Sequence, residues 1–390
     1  MSGPASSGDP GAEHLRLFIL AGEPSGDRIA ADLVARLQQR VPLAFSGVGG
    51  HELEALGLRS LFPMRDLAVM GVSDVLLRLP LLLWRIEQTA RAIRAGKPDI
   101  VVLVDSQDFS RLLARRLKRL GYKGKLILYV APSVWARAPQ RAARLKPLFE
   151  EVLAVLPFEP AVMQRLGGPP TCYVGHPALS ERLAREGAAR GPLVLLPGSR
   201  DGELRRHLPL FRQVAAQLDG HPALDGIVIP TLPALHERLS RAVADWPVPV
   251  RIVSDRAARA ALYERAVLAL AVSGTVTLEL ALAQVPMVVA YVLDGHQARI
   301  YDRHGRPPVS LPNIILDRPA VPELVQNQPD GAAMLAAVQT LLDNEKARQG
   351  QIAAFGELAT LMETGEPGFP RQDPADRVLA HWHQRALSGS

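Results

Sequence analysis

Short apolar runs bounded by turn residues alternate along this chain with stretches whose apolar positions recur every three to four residues. "LRLFILAG" reads as a strand, "DRIAADLVARLQQR" as an amphipathic helix, and "AFSGVGG" as a second strand closed by glycines. "PDIVVLVDS" and "KLILYVAPS" are two more buried strands, separated by the helical "FSRLLARRLKRLG", and "EEVLAVLPF" adds another. Strands alternating with helices at this spacing imply a parallel sheet with helices on both faces. The pattern pauses at "VGHPALSERLAREGAARGP" and restarts with the strand "LVLLPGSR" and the helix "RRHLPLFRQVAAQL". Strands in "GIVIPT" and "VRIVS", a helix in "RAALYERAV", and the apolar "VLALAVSGTVTLELALAQVPMVVAYV" complete a second unit of the same kind.

The predicted fold class is therefore α/β, with two Rossmann-like domains facing a cleft and ligands expected beyond the carboxyl ends of the strands. The boundaries read as a disordered, Gly-, Pro- and Ser-rich tail over 1–14, a first domain over 15–176, a second over 177–360, and a final segment over 361–390 that contains the short amphipathic helix "PADRVLAHWHQRAL".

Length and composition sharpen this picture only in places. At 390 residues the chain exceeds the size at which single cores usually stop growing, which favours two domains. A net charge of +6 is compatible with nucleic acid, an anionic membrane surface or phosphorylated substrates, but 5% aromatic residues argue against a stacking platform for single strands. No nucleic-acid partner is expected. Cys172 is the one cysteine, so there is no intramolecular disulfide and no cysteine-based zinc site; a reducing compartment fits, and Cys172 reads as a small packing residue. "LFILAG" is too short for a signal-peptide core, and no stretch of eighteen apolar residues occurs, so a cytoplasmic protein is expected.

Candidate chemistry gathers where strands stop. "AGEPSGD" places Glu23, Ser25 and Asp27 beside two glycines after the first strand, although Ser25 or Asp27 could simply cap a helix. "GVGGHELEALG" resembles a dinucleotide fingerprint, but Glu52 occupies its third glycine position, which speaks against NAD; no cofactor is expected. "LVDSQDFS" puts Asp105 at the end of an apolar strand, where poor solvation raises its pKa and suits a general base, and leaves Asp108 to cap the next helix. The spacing of these two is not that of a metal-binding Asp-x-Asp pair, and no metal is required.

"LLPGSR" ends another strand in a turn followed by Arg200, which could neutralise a diphosphate opposite Ser273, Gly274 and Thr275. That second turn opens a helix whose free N–H groups suit an anion, and Glu279 one turn further could accept hydrogen bonds from ribose hydroxyls; ordinary capping and a dipole-facing acid explain the same residues. Asn313 in "VSLPN" reads as a loop residue, His176 in "GHP" as a packed or hinge histidine, and "HWH" as a helical stretch whose histidines splay apart.

One segment reads differently. In residues 69–97, Leu77, Leu81, Leu82 and Trp84 make the pattern apolar nearly all round, Pro80 should break it into two pieces, and Arg78, Arg85, Arg91, Arg94 and Lys97 surround it with positive charge. A buried helix explains some of this. A segment lying in the lipid headgroup layer explains more, and Leu77, Leu81, Leu82 and Trp84 are the expected membrane contacts.

Taken in order, "AGEPSGD", "LAVMGVSDVL", "VDSQDF", "YVAPSVWA", "LPFEP", "VGHP", "LLPGSR", "SGTVTLELAL", "PMVVAYV", "SLPN" and "PEL" resemble the lipid-A-disaccharide synthase family, over about residues 16–326. The resemblance implies the GT-B glycosyltransferase architecture, with the C-terminal helix returning to the first domain. It also implies an inverting reaction in lipid A biosynthesis of Gram-negative bacteria: transfer from a UDP-diacylglucosamine donor to a diacylglucosamine 1-phosphate acceptor, at the inner-membrane surface as a peripheral protein, with both a monomer and an oligomer left open. Asp105 would then be the base, Arg200 with Ser273, Gly274 and Thr275 would stabilise the departing UDP, Glu279 would hold the ribose, and Asn313 would lie in the nucleotide site. The family usually follows "SVWA" with Trp-Arg, whereas Arg137 and Ala138 follow here, altering the expected cleft wall near Trp135; the tyrosine usual near "SLPN" is replaced in "RPPVSLPN".

Overall fold

A computed structural model describes residues 14–67, 72–136, 138–182 and 188–388, with side chains described throughout except at 72–77, 181 and 385–388. Most of the predicted tail and Arg137 fall outside these residues, as does the Leu77 side chain. The chain divides into two compact units, one of residues 1–176 and 364–390, the other of residues 177–363.

The first unit holds six parallel strands: β1 (Leu15–Ala21), β2 (Leu43–Val48), β3 (Ile100–Val104), β4 (Lys125–Tyr129), β5 (Glu151–Ala154) and β6 (Thr171–Tyr173), in the order β2-β1-β3-β4-β5-β6. All five residues of β3 are buried, as a central strand with helices on both faces requires. Burying each such side chain stabilises the unit by about 1.5–3 kcal/mol. Register pairs Ala21 with Val104, so β1 and β3 end at the same level. In the second unit β7 (Gly191–Leu196), β8 (Leu224–Pro230), β9 (Val250–Val253), β10 (Leu268–Ala271), β11 (Met287–Val292) and β12 (Glu323–Gln326) run in the order β12-β11-β10-β7-β8-β9, again all parallel. That is the doubly wound dinucleotide-fold order, and Leu196 pairs with Ala271 where the order reverses. The expectation of two α/β units with parallel sheets holds. Periodicity does not reveal β6 and β12, edge strands of three and four residues, or the two-residue strands Gly365–Glu366 and Phe369–Pro370, and it marks β11 only as part of a longer apolar stretch.

Three local expectations are corrected. The first helix starts at Pro24, with Glu23 at its N-cap position, so neither Ser25 nor Asp27 caps it; proline fits the first helical turn because its missing N–H is an orphan there anyway. Asp108 is exposed in the first turn of helix Gln107–Arg119 and pairs with Arg111, while Ser106 occupies the N-cap position. Pro80 does not break its segment: one helix runs from Val72 to Gly96 through it. Pro80 is exposed, so the loss of one backbone hydrogen bond falls on the solvated side while the helix packs against Gln107–Arg119.

The C-terminal helix, Pro374–Ser388, belongs to the first unit. Ala375 and Val378 are fully buried, and Glu151 of β5, 3% exposed, receives Arg377 at 2.7 Å and His381 Nε2 at 3.0 Å. The first histidine of "HWH" is thereby a structural ligand of a carboxylate. At the near end of the same helix, Arg36 and Arg40 reach Asp373 at 3.0 and 3.1 Å. Burial pushes the Glu151 carboxyl upward, but the hydrogen bonds and charge of His381 and Arg377 outweigh it and hold the group below its usual range. Cys172 on β6 is buried, and burial together with Glu151 pushes its thiol up to about 12, in keeping with a packing residue.

Glu151→Ala should therefore destabilise the first unit by about 3 kcal/mol, the lower end for a broken buried ion pair because Arg377 keeps part of its surface in water. Because Glu151's folded pKa is depressed, this contribution is present above the unfolded carboxyl value and is lost as pH falls through the folded one. Urea unfolding at neutral and acid pH checks both parts; a loss under 1 kcal/mol at pH 7 would show that the docked helix does not depend on this carboxylate.

Candidate active site

In an open parallel sheet the place where strand order reverses leaves a gap between crossover connections, and ligands bind there beyond the strand ends. In the first unit that point lies between β1 and β3, where Gly22 and Glu23 meet Asp105 and Ser106. A Cβ on Gly22 would stand 1.6 Å from Ser106 Oγ, so only glycine lets the two loops touch. Asp105 and Ser106 have φ of 55° and 42°, and Val130, one residue past β4, has φ of 75°, an outlier for a β-branched residue. The sheet ladder holds these conformations, since Asp105 N–H donates to Tyr129 O and Val130 N–H to Leu153 O, each at 2.9 Å. Ser110, fully buried, donates from Oγ to Asp105 O at 3.0 Å. Non-glycine strain of this kind costs about 1–3 kcal/mol per residue and persists where surrounding structure over-determines it.

Burial raises the Asp105 carboxyl above its usual range, the negative charge of Glu23 adds to the rise, and the backbone N–H of Ser106 opposes it in part. Glu23 and Ser25 are exposed at the same strand ends. Asp27 is not with them, which corrects its expected place among substrate contacts. It is 2% exposed, and its carboxylate accepts Gly50 N–H at 2.8 Å and Glu52 N–H at 2.9 Å, tying the start of helix His51–Ala55 to the first helix. Trp135 is half-buried, with its ring edge-on to Phe158 at 5.4 Å and its Nε1–H aimed at Glu159 Oε1 at 3.4 Å. Glu159, unnoticed in the sequence, also accepts Leu156 N–H at 3.0 Å, and burial pushes its carboxyl up to about 8.

In the second unit the order reverses between β7 and β10, and a cavity of about 430 Å³ opens there. Its walls include Arg200, Ser273, Gly274, Thr275 and Glu279, together with Leu232, Arg259 and Tyr263, which sequence reasoning did not single out. The volume falls in the range of small-molecule sites. A Cβ on Gly274 would meet nothing within 4 Å, so the glycine leaves open space at the cavity.

The Arg200 side of the cavity is fastened by a buried acid. Glu203, 6% exposed, accepts Ser199 N–H at 3.1 Å, Arg200 N–H at 3.2 Å and the Arg200 guanidinium at 3.0 Å. Gly198, at φ 101°, passes so close that a Cβ would lie 2.5 Å from Glu203 Oε2. Arg200 itself keeps 69% of its side chain exposed. His207, fully buried, bonds Glu203 O through Nδ1 at 2.8 Å and accepts Val292 N–H on Nε2 at 2.9 Å, which requires the neutral ring; burial accordingly lowers its pKa.

Asn313 is corrected as well. It is 4% exposed, its amide donates to Val321 O and Glu323 Oε1, and its oxygen accepts Ala320 and Val321 N–H, all between 2.7 and 2.9 Å. With every hydrogen-bonding position occupied, it closes the 313–323 loop and is absent from the cavity wall.

The segment expected to touch lipid is also redistributed. Leu82 packs against the core and Leu81 is half-buried, whereas Leu79, Leu83 and Trp84 are 40%, 54% and 55% exposed, with Leu112 on the neighbouring helix at 38%. Arg85 is no free surface charge: it bonds Asp66 at 2.5 Å and its guanidinium lies 4.4 Å from the Phe62 ring and 4.2 Å from that of Trp84. Among the described residues no helix is long and apolar enough to cross a membrane.

Comparison with known proteins bears on the whole chain. The model of the lipid-A-disaccharide synthetase family matches residues 17–366. A lipid-A-disaccharide synthase of Rhodopseudomonas palustris is 40% identical over 97% of this chain and 98% of its own. One from Rhodospirillum centenum is 41% identical over 94% of each. Among solved structures, MurG of Acinetobacter baumannii superposes with a TM-score of 0.54 over 95% of this chain and 99% of its own, at 15% identity, a likeness of fold alone. With the match of the family model running from β1 to the last turn before the C-terminal helix, and relatives near 40% identical along nearly the whole length, the chain belongs to the lipid-A-disaccharide synthetase family.

Proposed function

We propose that this chain is an inverting glycosyltransferase that joins UDP-2,3-diacylglucosamine to 2,3-diacylglucosamine 1-phosphate, giving the β-1,6-linked lipid A disaccharide 1-phosphate and UDP. Family membership supports the reaction class. The observation that supports the residue assignment is Asp105, a carboxylate held in a strained turn at a sheet's switch point with its pKa raised by burial. The acceptor hydroxyl oxygen attacks the anomeric carbon, its proton passes to Asp105, and the bond to the diphosphate breaks with its electron pair leaving on UDP. A base poised above the ordinary carboxylate range is a better proton acceptor near neutrality. Arg200 and the Ser273–Gly274–Thr275 turn stabilise the charge that gathers on the diphosphate, and Glu279 accepts hydrogen bonds from the ribose. Glu23 and Ser25 bound the acceptor side, and Trp135 shapes its wall. The enzyme works in the cytoplasm against the inner membrane, with Leu79, Leu83 and Trp84 replacing the deeper Leu81 and Leu82 as its lipid contacts.

Incubation of the purified protein with both acylated substrates, read by the appearance of the disaccharide and UDP, tests the whole assignment. Asp105→Asn should keep UDP binding while lowering turnover about a hundredfold or more. The acid limb of kcat/KM should follow ionisation of Asp105, and Glu23→Gln, which removes a neighbouring negative charge, should move that limb to lower pH. A limb that stays in place, or an Asp105→Asn turnover within threefold of wild type, would remove this dyad from the mechanism.

Glu279→Ala should weaken UDP binding by roughly 1–3 kcal/mol, because the ribose would lose a charged acceptor. Were the acid only a partner of the helix dipole, calorimetry would find UDP affinity unchanged and a small loss of stability instead.

Replacing Leu79, Leu83 and Trp84 together with Ser should release the protein from vesicles containing anionic lipid and impair use of long-chain substrates while sparing UDP affinity. Cosedimentation decides this: a folded triple variant that still pellets with the vesicles places the membrane contact elsewhere.

A further inference from the structure

The strap 309–313, which contains the "SLPN" motif, is held by an acid that does not line the cavity. Glu323 stands on β12, the edge strand of the second sheet. Its carboxylate accepts Val309 N–H and Ser310 N–H, each at 2.9 Å, Ser310 Oγ–H at 2.5 Å, and Asn313 Nδ2–H at 2.8 Å. Ser310 is itself fully buried. The strap in turn grips the cavity wall at two points. Ser273 donates from its hydroxyl to Val309 O at 2.6 Å, and Leu311 N–H reaches Thr277 Oγ1 at 3.3 Å, whose own hydroxyl donates to Gly274 O at 2.8 Å. A single residue, Val309, thus joins the Glu323 carboxylate on one side to the turn that lines the cavity on the other.

We propose that Glu323 is a positioning residue for the nucleotide-sugar site: it fixes the strap, the strap fixes the Ser273–Gly274–Thr275 turn, and the turn is thereby held in the shape that receives a nucleoside diphosphate. The proposal rests on the reading of that cavity as the UDP site. Its physical basis is the chemistry of the acceptor. An ionised carboxylate offers only acceptor positions and can satisfy all four donors, whereas an amide of the same size turns two N–H donors toward groups that themselves donate, and leaves part of the strap unsatisfied. Glu323→Gln therefore changes almost no volume and yet should loosen the strap.

The test is UDP calorimetry and steady-state kinetics on the full chain. Glu323→Gln should weaken UDP binding roughly tenfold and raise the donor KM to match, with the acceptor KM within twofold of wild type. Glu323→Asp, which keeps the charge, should recover part of the loss. Ser273→Ala cuts the strap from the turn without touching Glu323, so the double variant with Glu323→Gln should bind UDP little worse than the weaker single one. If Glu323→Gln fails to fold, Ser310→Ala removes one donor from the same carboxylate and should still weaken UDP binding at least threefold. Wild-type protein that does not bind UDP would sink the reading of the cavity and this proposal with it. A wild type that binds, beside a folded Glu323→Gln or Ser310→Ala that binds equally well, overturns the proposal alone; so do donor and acceptor KM values that move together, or losses in the two single variants that multiply in the double.

Discussion

A strand buried on both faces by helices holds a polar group only where the fold supplies its partner, as Arg377 and His381 do for Glu151 of β5, so in a parallel sheet open binding surface gathers at the level where the strands stop. Both units obey this constraint. β3 and β10 are apolar and buried along their length, and the first polar side chains past them are Asp105 and Ser273. The strand order then selects among the ends. Only at the reversal do two neighbouring connections leave on opposite faces, and there the chain places Glu23 beside Asp105 in one unit and Arg200 among the same cavity walls as Ser273 in the other.

Loops at such a level have backbone groups that no sheet ladder satisfies, and leaving them unpaired would cost about 1–3 kcal/mol each. The chain meets this need with carboxylates and one amide rather than with further secondary structure. Asp27 takes the N–H groups that open helix His51–Ala55, Glu203 takes those of the Ser199–Arg200 turn, and Glu323 and Asn313 close the strap and loop behind Ser273. Several motifs that looked like separate signals are accordingly one hydrogen-bonded object: Glu323 of "PEL", Ser310 and Asn313 of "SLPN" and Ser273 of "SGTVTLELAL" form a continuous chain of contacts.

This explains what could be read from the sequence and what could not. Periodicity gave most of the strands because a doubly covered parallel strand is rich in apolar residues, and it placed Asp105, Arg200 and the Ser273 turn at strand ends for the same reason. It could not assign Asp27 or Asn313, since a polar residue beside a strand end looks alike whether it faces a ligand or the backbone of its own loop. Glu203, Glu323 and Glu159 were missed because their partners are backbone N–H groups set by turn geometry, which composition does not encode. On helix Val72–Gly96 the excess of apolar residues was legible, but which of them turn outward depended on packing against Gln107–Arg119 and on Arg85 folding inward over Phe62.

The number of donors aimed at a carboxylate sorts the acids near these strand ends better than their sequence position does. Asp27 receives two backbone N–H groups in a buried setting and Glu323 receives four donors, so the oxygens of each are engaged within their own loops. Asp105 differs in kind. The backbone hydrogen bond from Ser106 favours its charged form, but burial and the charge of Glu23 oppose it more strongly, leaving a carboxylate with unspent affinity for a proton. A base needs that imbalance, because a fully satisfied anion gains little by accepting a proton from a substrate. The turn that carries Asp105 is strained, with φ of 55° at Asp105 and 42° at Ser106, and the ladder bond to Tyr129 O together with the Ser110 hydroxyl on Asp105 O holds it there.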